Sequence, residues 1–154
     1  MTTRLNKLIA TYARLEQLLH GIPDPAVVRV RETVARVEEF VAELQGMTPA
    51  PTKSQVAGGL EQGLREMPLV LARADAHWRL AASSAMQAAI ASEYPEFLTL
   101  ERARLDKVLA RGRVRSEAEY HLVRHHVDVL EGAPEHQEQV EVLYRLLDEY
   151  EVRH

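Results

Sequence analysis

Leu5, Leu8, Tyr12, Leu15 and Leu19 stand alternately three and four residues apart, with mostly polar positions between them. This spacing predicts an amphipathic helix with one narrow apolar stripe. Val27, Val30, Val34, Val37, Val41 and Leu44 repeat the pattern. Between the two runs lies HGIPDPA. Gly21 suits the left-handed residue that ends a helix, Asp24 suits an N-cap, and Pro25 suits a first helical turn. Residues 3–45 are therefore expected to form an antiparallel, coiled-coil-like αα-hairpin. Its seam edges need further cover, from the same chain or from a second copy.

The pattern breaks at GMTPAPTKSQVAGG, residues 46–59, which reads as a connector with helix resuming near Lys53. Gly58, Gly59 and Gly63 weaken a helix there. LVLARADAHWRLAASSAMQAAI, residues 69–90, predicts one long helix with Pro68 in its first turn. Leu71, Ala74, Trp78, Ala81, Ala85 and Ala88 form its main stripe, with Leu80, Met86 and Ile90 partly off it. A helix apolar on several sides is expected to be central and buried.

Three more helices follow. Phe97, Leu98, Leu105, Val108 and Leu109 mark the inner side of one that Gly112 ends. Ser116 and Glu119 form the S-x-x-E capping box of the next, whose stripe is Tyr120, Val123, Val127 and Leu130. Gly132 and Pro134 separate it from the last, which carries Val140, Leu143, Leu147 and Tyr150. The expected fold is all-α, a bundle of five or six helices opened by the N-terminal hairpin. The expected divisions are a hairpin at 1–45, a partly helical connector at 46–67 and a helical bundle at 68–154, together one compact domain. No alternating strand and no internal repeat stands out.

Composition narrows the function classes. A chain of 154 residues that is 46% apolar and 27% charged suits a soluble domain with a real core. The absence of cysteine excludes disulfides, a thiol nucleophile and cysteine-ligated zinc. The charged first residues do not read as a signal peptide. The longest uncharged run, LAASSAMQAAIAS, is too short for a bilayer span of roughly 20 residues. A cytoplasmic protein without a membrane role is expected. Sixteen arginines against three lysines, with abundant alanine, lean towards a bacterial source.

The net charge of −4 is unevenly spread. Residues 102–115 hold six basic residues and one acid, whereas residues 117–151 hold ten acids and two arginines. The basic stretch is expected to pair with its acidic neighbour rather than with nucleic acid, because no broad basic footprint or recognition motif accompanies it.

Candidate chemistry centres on YHLVRHH, residues 120–126. Glu117, His121, His125 and Asp128 share one side of a helix, opposite its apolar stripe, and their donor types suit zinc, nickel or copper. A solvated polar face is the commoner use of such residues. HLVRH also departs from the zinc-protease pattern H-E-x-x-H, since Leu122 stands where the general base belongs. His126 is expected to be a buried structural histidine near Glu119. Asp75, His77 and Ser83 or Ser84 lie on one helix, and a triad needs groups converging from several elements. No cofactor motif is present. A pocket for a small ligand would lie beside Trp78, Ala81, Ser84 and Ala85.

The expectation is a non-catalytic bacterial interaction module of the adaptor, antitoxin or immunity kind. Its partner would be another protein, a basic one suiting the acidic face, docked on Glu135, Glu138, Glu141 and Glu149 and on the exposed sides of the hairpin. A metal- or ligand-binding protein and a self-assembling helical protein are the alternatives.

Overall fold

A computed structural model describes residues 3–131 and 134–154. Among them all regular structure is helical: α1 (Arg4–Leu19), α2 (Pro25–Val34), α3 (Val37–Gln45), α4 (Lys53–Leu71), α5 (Ala76–Glu93), α6 (Pro95–Arg111), α7 (Glu117–Leu130) and α8 (Gln137–Arg153). A single 3₁₀ turn, Pro134–His136, leads into α8. The all-α class is as expected, with more helices than five or six. Two expected helices are each interrupted, and the helix expected to resume near Lys53 runs as α4 past the expected connector to Leu71. No described helix is long and apolar enough to cross a membrane.

The chain divides into two compact units, Met1–Pro95 and Glu96–His154. Residues 46–93 thus belong with the hairpin rather than with the C-terminal helices.

In the first unit α1 is the hub. It packs most extensively on α5 and also meets α2, α3 and α4. All five stripe residues, Leu5, Leu8, Tyr12, Leu15 and Leu19, are buried. The turn to α2 follows its sequence signals. Gly21 adopts φ +92°, and Asp24 Oδ2 accepts the Ala26 and Val27 N–H groups at 2.9 and 3.2 Å. Oδ1 of the same carboxylate accepts the Asp75 N–H at 2.9 Å, tying this turn to the start of α5. That bond, followed by those from Val27 and Ala26, holds the Asp24 carboxyl below its usual range despite burial.

The second arm is not one helix. Ala35 and Arg36 form a turn, and Arg36 opens α3 without a side-chain cap. Val27, Val30 and Val34 are buried before the break, but only Val41 after it. β-Branched valines confer little helix propensity, so a run of them resists such a break weakly.

α4 starts with a capping box. Thr52 Oγ1 accepts the Gln55 N–H at 3.1 Å, and Gln55 Oε1 accepts the Thr52 N–H at 2.9 Å. Its buried side, Val56, Ala57, Leu60, Leu64, Met67 and Leu71, outweighs three glycines. Pro68 lies in its last turn, not in the first turn of a following helix. The chain leaves helix at residues 72–75, and Asp75 caps α5 by accepting the His77 N–H at 2.9 Å.

The second unit has a core of Leu105, Val108, Val114, Leu122, Val123, Val127, Leu143, Leu146 and Leu147, drawn from α6, α7, α8 and the α6–α7 turn. Gly112, at φ +73°, ends α6 as expected. Ser116 accepts the Glu119 N–H at 3.2 Å. Glu119 completes only half the expected box: its carboxylate takes the Arg115 N–H at 2.8 Å and Arg111 at 2.5 Å. Burial raises the Glu119 carboxyl, but these hydrogen bonds bring it below its ordinary value. Gly132, the expected stop after α7, lies outside the described residues.

Candidate functional site

α8 presents the clearest two-sided face. Val140, Leu143, Leu146 and Leu147 are buried, as the three-four spacing requires. On the solvent side Val142 and Val152 are 41% and 88% exposed. Glu138, Arg145 and Glu149 share their arc, and Glu141 and Asp148 border it. Glu135 is exposed in the preceding 3₁₀ turn. Glu141 accepts a hydrogen bond from Gln137 at 3.2 Å. Glu135, Glu138 and Glu149 have no hydrogen-bond or ion-pair partner among the described residues. An open concavity of about 390 Å³ is lined by Asp148, Glu149, Val152 and Arg153. The arrangement sets exposed apolar side chains beside acids without partners among the described residues, with Arg145 on the same arc.

Three of the six basic side chains of residues 102–115 pair with acids of their own unit, and of these only Arg111 reaches the acidic segment at 117–151. Arg104 pairs with Glu101 at 2.8 Å, Arg102 with Asp106 at 3.0 Å, and Arg111 with Glu119.

The histidine helix departs from the expected wet face. His125 is only 7% exposed and Asp128 is also buried, although both lie opposite the Val123–Val127 stripe. α7 is thus buried on two opposite sides. The apolar stripe of a helical wheel marks one packed direction and does not show whether the other is packed too. Glu117 stays exposed, 3.6 Å from His121, while Asp128 approaches Arg124 at 3.9 Å. The four expected ligands do not converge. Among the described residues no three His, Asp or Glu side chains form a set able to hold a metal.

Burial pushes His125 down to about 3, and neighbouring His126 adds to the shift. His126 falls to about 4, first through burial and then through Arg102, with Asp106 opposing. Both rings are therefore neutral at pH 7. Nδ1 of His125 and of His121 is buried without a hydrogen-bond partner among the described residues.

The pocket residues do not enclose a site. Trp78 and Ala85 are half-buried, but Ala81 and Ser84 are exposed. The inward residues of α5 are Ala82, Ser83, Met86, Ala89 and Ile90. The expected stripe was counted through residues 72–75, where the helix breaks and the 100° phase is lost. Asp75 serves as a backbone cap and His77 is exposed, so these residues form no relay towards Ser83 or Ser84.

Sequence reasoning missed Glu61. It is buried on α4, where Oε2 accepts Arg4 Nε and Tyr94 Oη, each at 3.0 Å, and Oε1 accepts Arg65 at 2.8 Å. Burial acts to raise its carboxyl, but the bonds from Tyr94 and Arg4 outweigh it and lower the pKa. The cluster joins α1, α4 and the end of α5. Every carboxylate oxygen in it is engaged, so it holds structure rather than ligand. A signal was present: Glu61 falls between Ala57 and Leu64 on the inward side of the helix begun by Thr52.

No family model, curated protein or solved structure matches the chain.

Proposed function

We propose that the protein is a small, non-catalytic interaction module of the adaptor, antitoxin or immunity kind, working in a bacterial cytoplasm and binding a basic protein partner through α8. The observation that carries this reading is the exposed face of α8, where Val142 and Val152 stand exposed on one arc with Glu138 and Glu149, acids without internal partners, and with Arg145. Exposed apolar side chains supply contact area, and unpaired charge around them steers encounter and selects the sign of the partner.

The test is to recover the full chain with its bound protein from the host at mild salt, then measure the affinity of that complex by calorimetry. Reversing Glu135, Glu138, Glu141 and Glu149 to Lys is expected to weaken binding about tenfold or more, most strongly at low salt. Unchanged affinity would remove α8 from the interface.

A further inference from the structure

We propose that the exposed side of α3 is a second docking site, shaped for a basic amphipathic helix of another protein. α3 buries only Val41. Phe40 and Met47 are 50% and 56% exposed, with Val37 and Leu44 half-buried beside them. Residues 37, 40, 44 and 47 are spaced three, four and three apart, so the apolar row runs along α3 and into the turn after it. Large side chains in a row are what a partner helix grips in groove recognition.

Charge selects the occupant. α3 holds Glu38, Glu39 and Glu43 and no Lys or Arg. None of the three glutamates has a hydrogen-bond or ion-pair partner among the described residues. Glu39 and Glu43 are one turn apart and repel each other. Glu43 also sits in the last turn, where the helix dipole favours a cation and none is present. Lysine or arginine on an incoming helix relieves both unfavourable placements. The same charges disfavour a second copy laid α3 against α3, because acid would then face acid. The occupant is therefore a helix with large apolar residues at three-four spacing, flanked by Lys or Arg. This site shares the interaction-module reading, but its geometry stands without α8.

The experiment titrates the isotope-labelled full chain with a synthetic helical peptide carrying Leu at three-four spacing between flanking arginines. Control peptides replace Leu by Ser or Arg by Glu. Amide shifts are expected at residues 36–48. Affinity should fall about tenfold or more in Phe40→Ser and in Glu39→Lys/Glu43→Lys, and neither control peptide should bind comparably. Met47→Ser provides a second variant outside the helix should Phe40→Ser perturb folding, which a thermal melt reports. Three results overturn the site: no binding, equal binding of the Ser peptide, or shifts centred on α8. The last leaves the α8 reading standing, whereas charge reversal on α8 without effect on the native complex sinks that reading and not this one.

Discussion

Gly63 shows how one missing side chain positions two helices. Tyr12 on α1 donates its hydroxyl to the Leu60 carbonyl of α4 at 2.6 Å. A Cβ on Gly63 would lie 2.5 Å from that hydroxyl oxygen, closer than atoms can approach. The ring is rigid and buried, so the oxygen cannot simply swing aside. Burial also pushes the Tyr12 pKa upward, which keeps it a neutral donor. Gly63→Ala gains about 1 kcal/mol of helix propensity. It then loses more, because overpacking and a displaced buried hydrogen bond each cost about 1–3 kcal/mol. Net destabilisation of about 1–5 kcal/mol is expected by denaturant melting. Gly59, with nothing within 4 Å of its would-be Cβ, should respond oppositely, gaining up to about 1 kcal/mol on replacement by Ala. Tyr12→Phe should recover part of the Gly63→Ala loss, because it removes the obstructing oxygen. A double mutant no more stable than Gly63→Ala alone would contradict this account.

The elements show which sequence signals survive folding. The α1 stripe was legible because the helix runs unbroken beneath it, so counting by threes and fours stays in phase. The α5 stripe was not, because residues 72–75 leave the helix and Asp75 restarts it. The start of α4 near Lys53 was legible, and T-x-x-Q at 52–55 is the capping box that fixes it, but its glycines hid that the helix runs on to Leu71. The polar side of α7 misled for another reason: its buried His125 and Asp128 depend on tertiary packing, which no single helix encodes. Of the expected acids, Glu138, Glu141 and Glu149 stand exposed on α8 and Glu135 in the turn before it; what was not legible was that Val142 and Val152 are exposed on the same helix. The caps can be ranked by their bonds. Thr52→Ala removes one exposed side-chain cap and should cost about 1 kcal/mol. Asp24→Ala removes the acceptor for three backbone N–H groups in two elements and should lower the melting temperature further. Equal losses would show that the Asp24–Asp75 link contributes nothing.

At the scale of the whole chain, the titratable groups predict that acid acts on the two units at different pH. In the second unit His125 and His126 have folded pKa values of about 3 and about 4, below the ordinary 6.5. A depressed histidine pKa means that the unfolded chain takes up the proton first. The stability contributed by each neutral ring is therefore fully present above pH 6.5 and is lost as pH falls towards the folded value. Each site loses about 1.4 kcal/mol per pH unit in that window, so the pair removes about 4 kcal/mol by pH 5. In the first unit the shifted acids are Glu61 and Asp24, both lowered, from 4.5 and 3.8. Their contribution persists above those values and declines only as pH falls below them. Amide hydrogen exchange at pH 7, 5.5 and 4.5, corrected for intrinsic rates, should show protection falling first in residues 96–154. Residues 4–93 should hold theirs until about pH 4.5. Replacing His126 by Gln should flatten the early loss, since an uncharged side chain takes up no proton. Simultaneous loss of protection in both units, or an early loss unchanged by that substitution, would show that His125 and His126 do not govern the acid response.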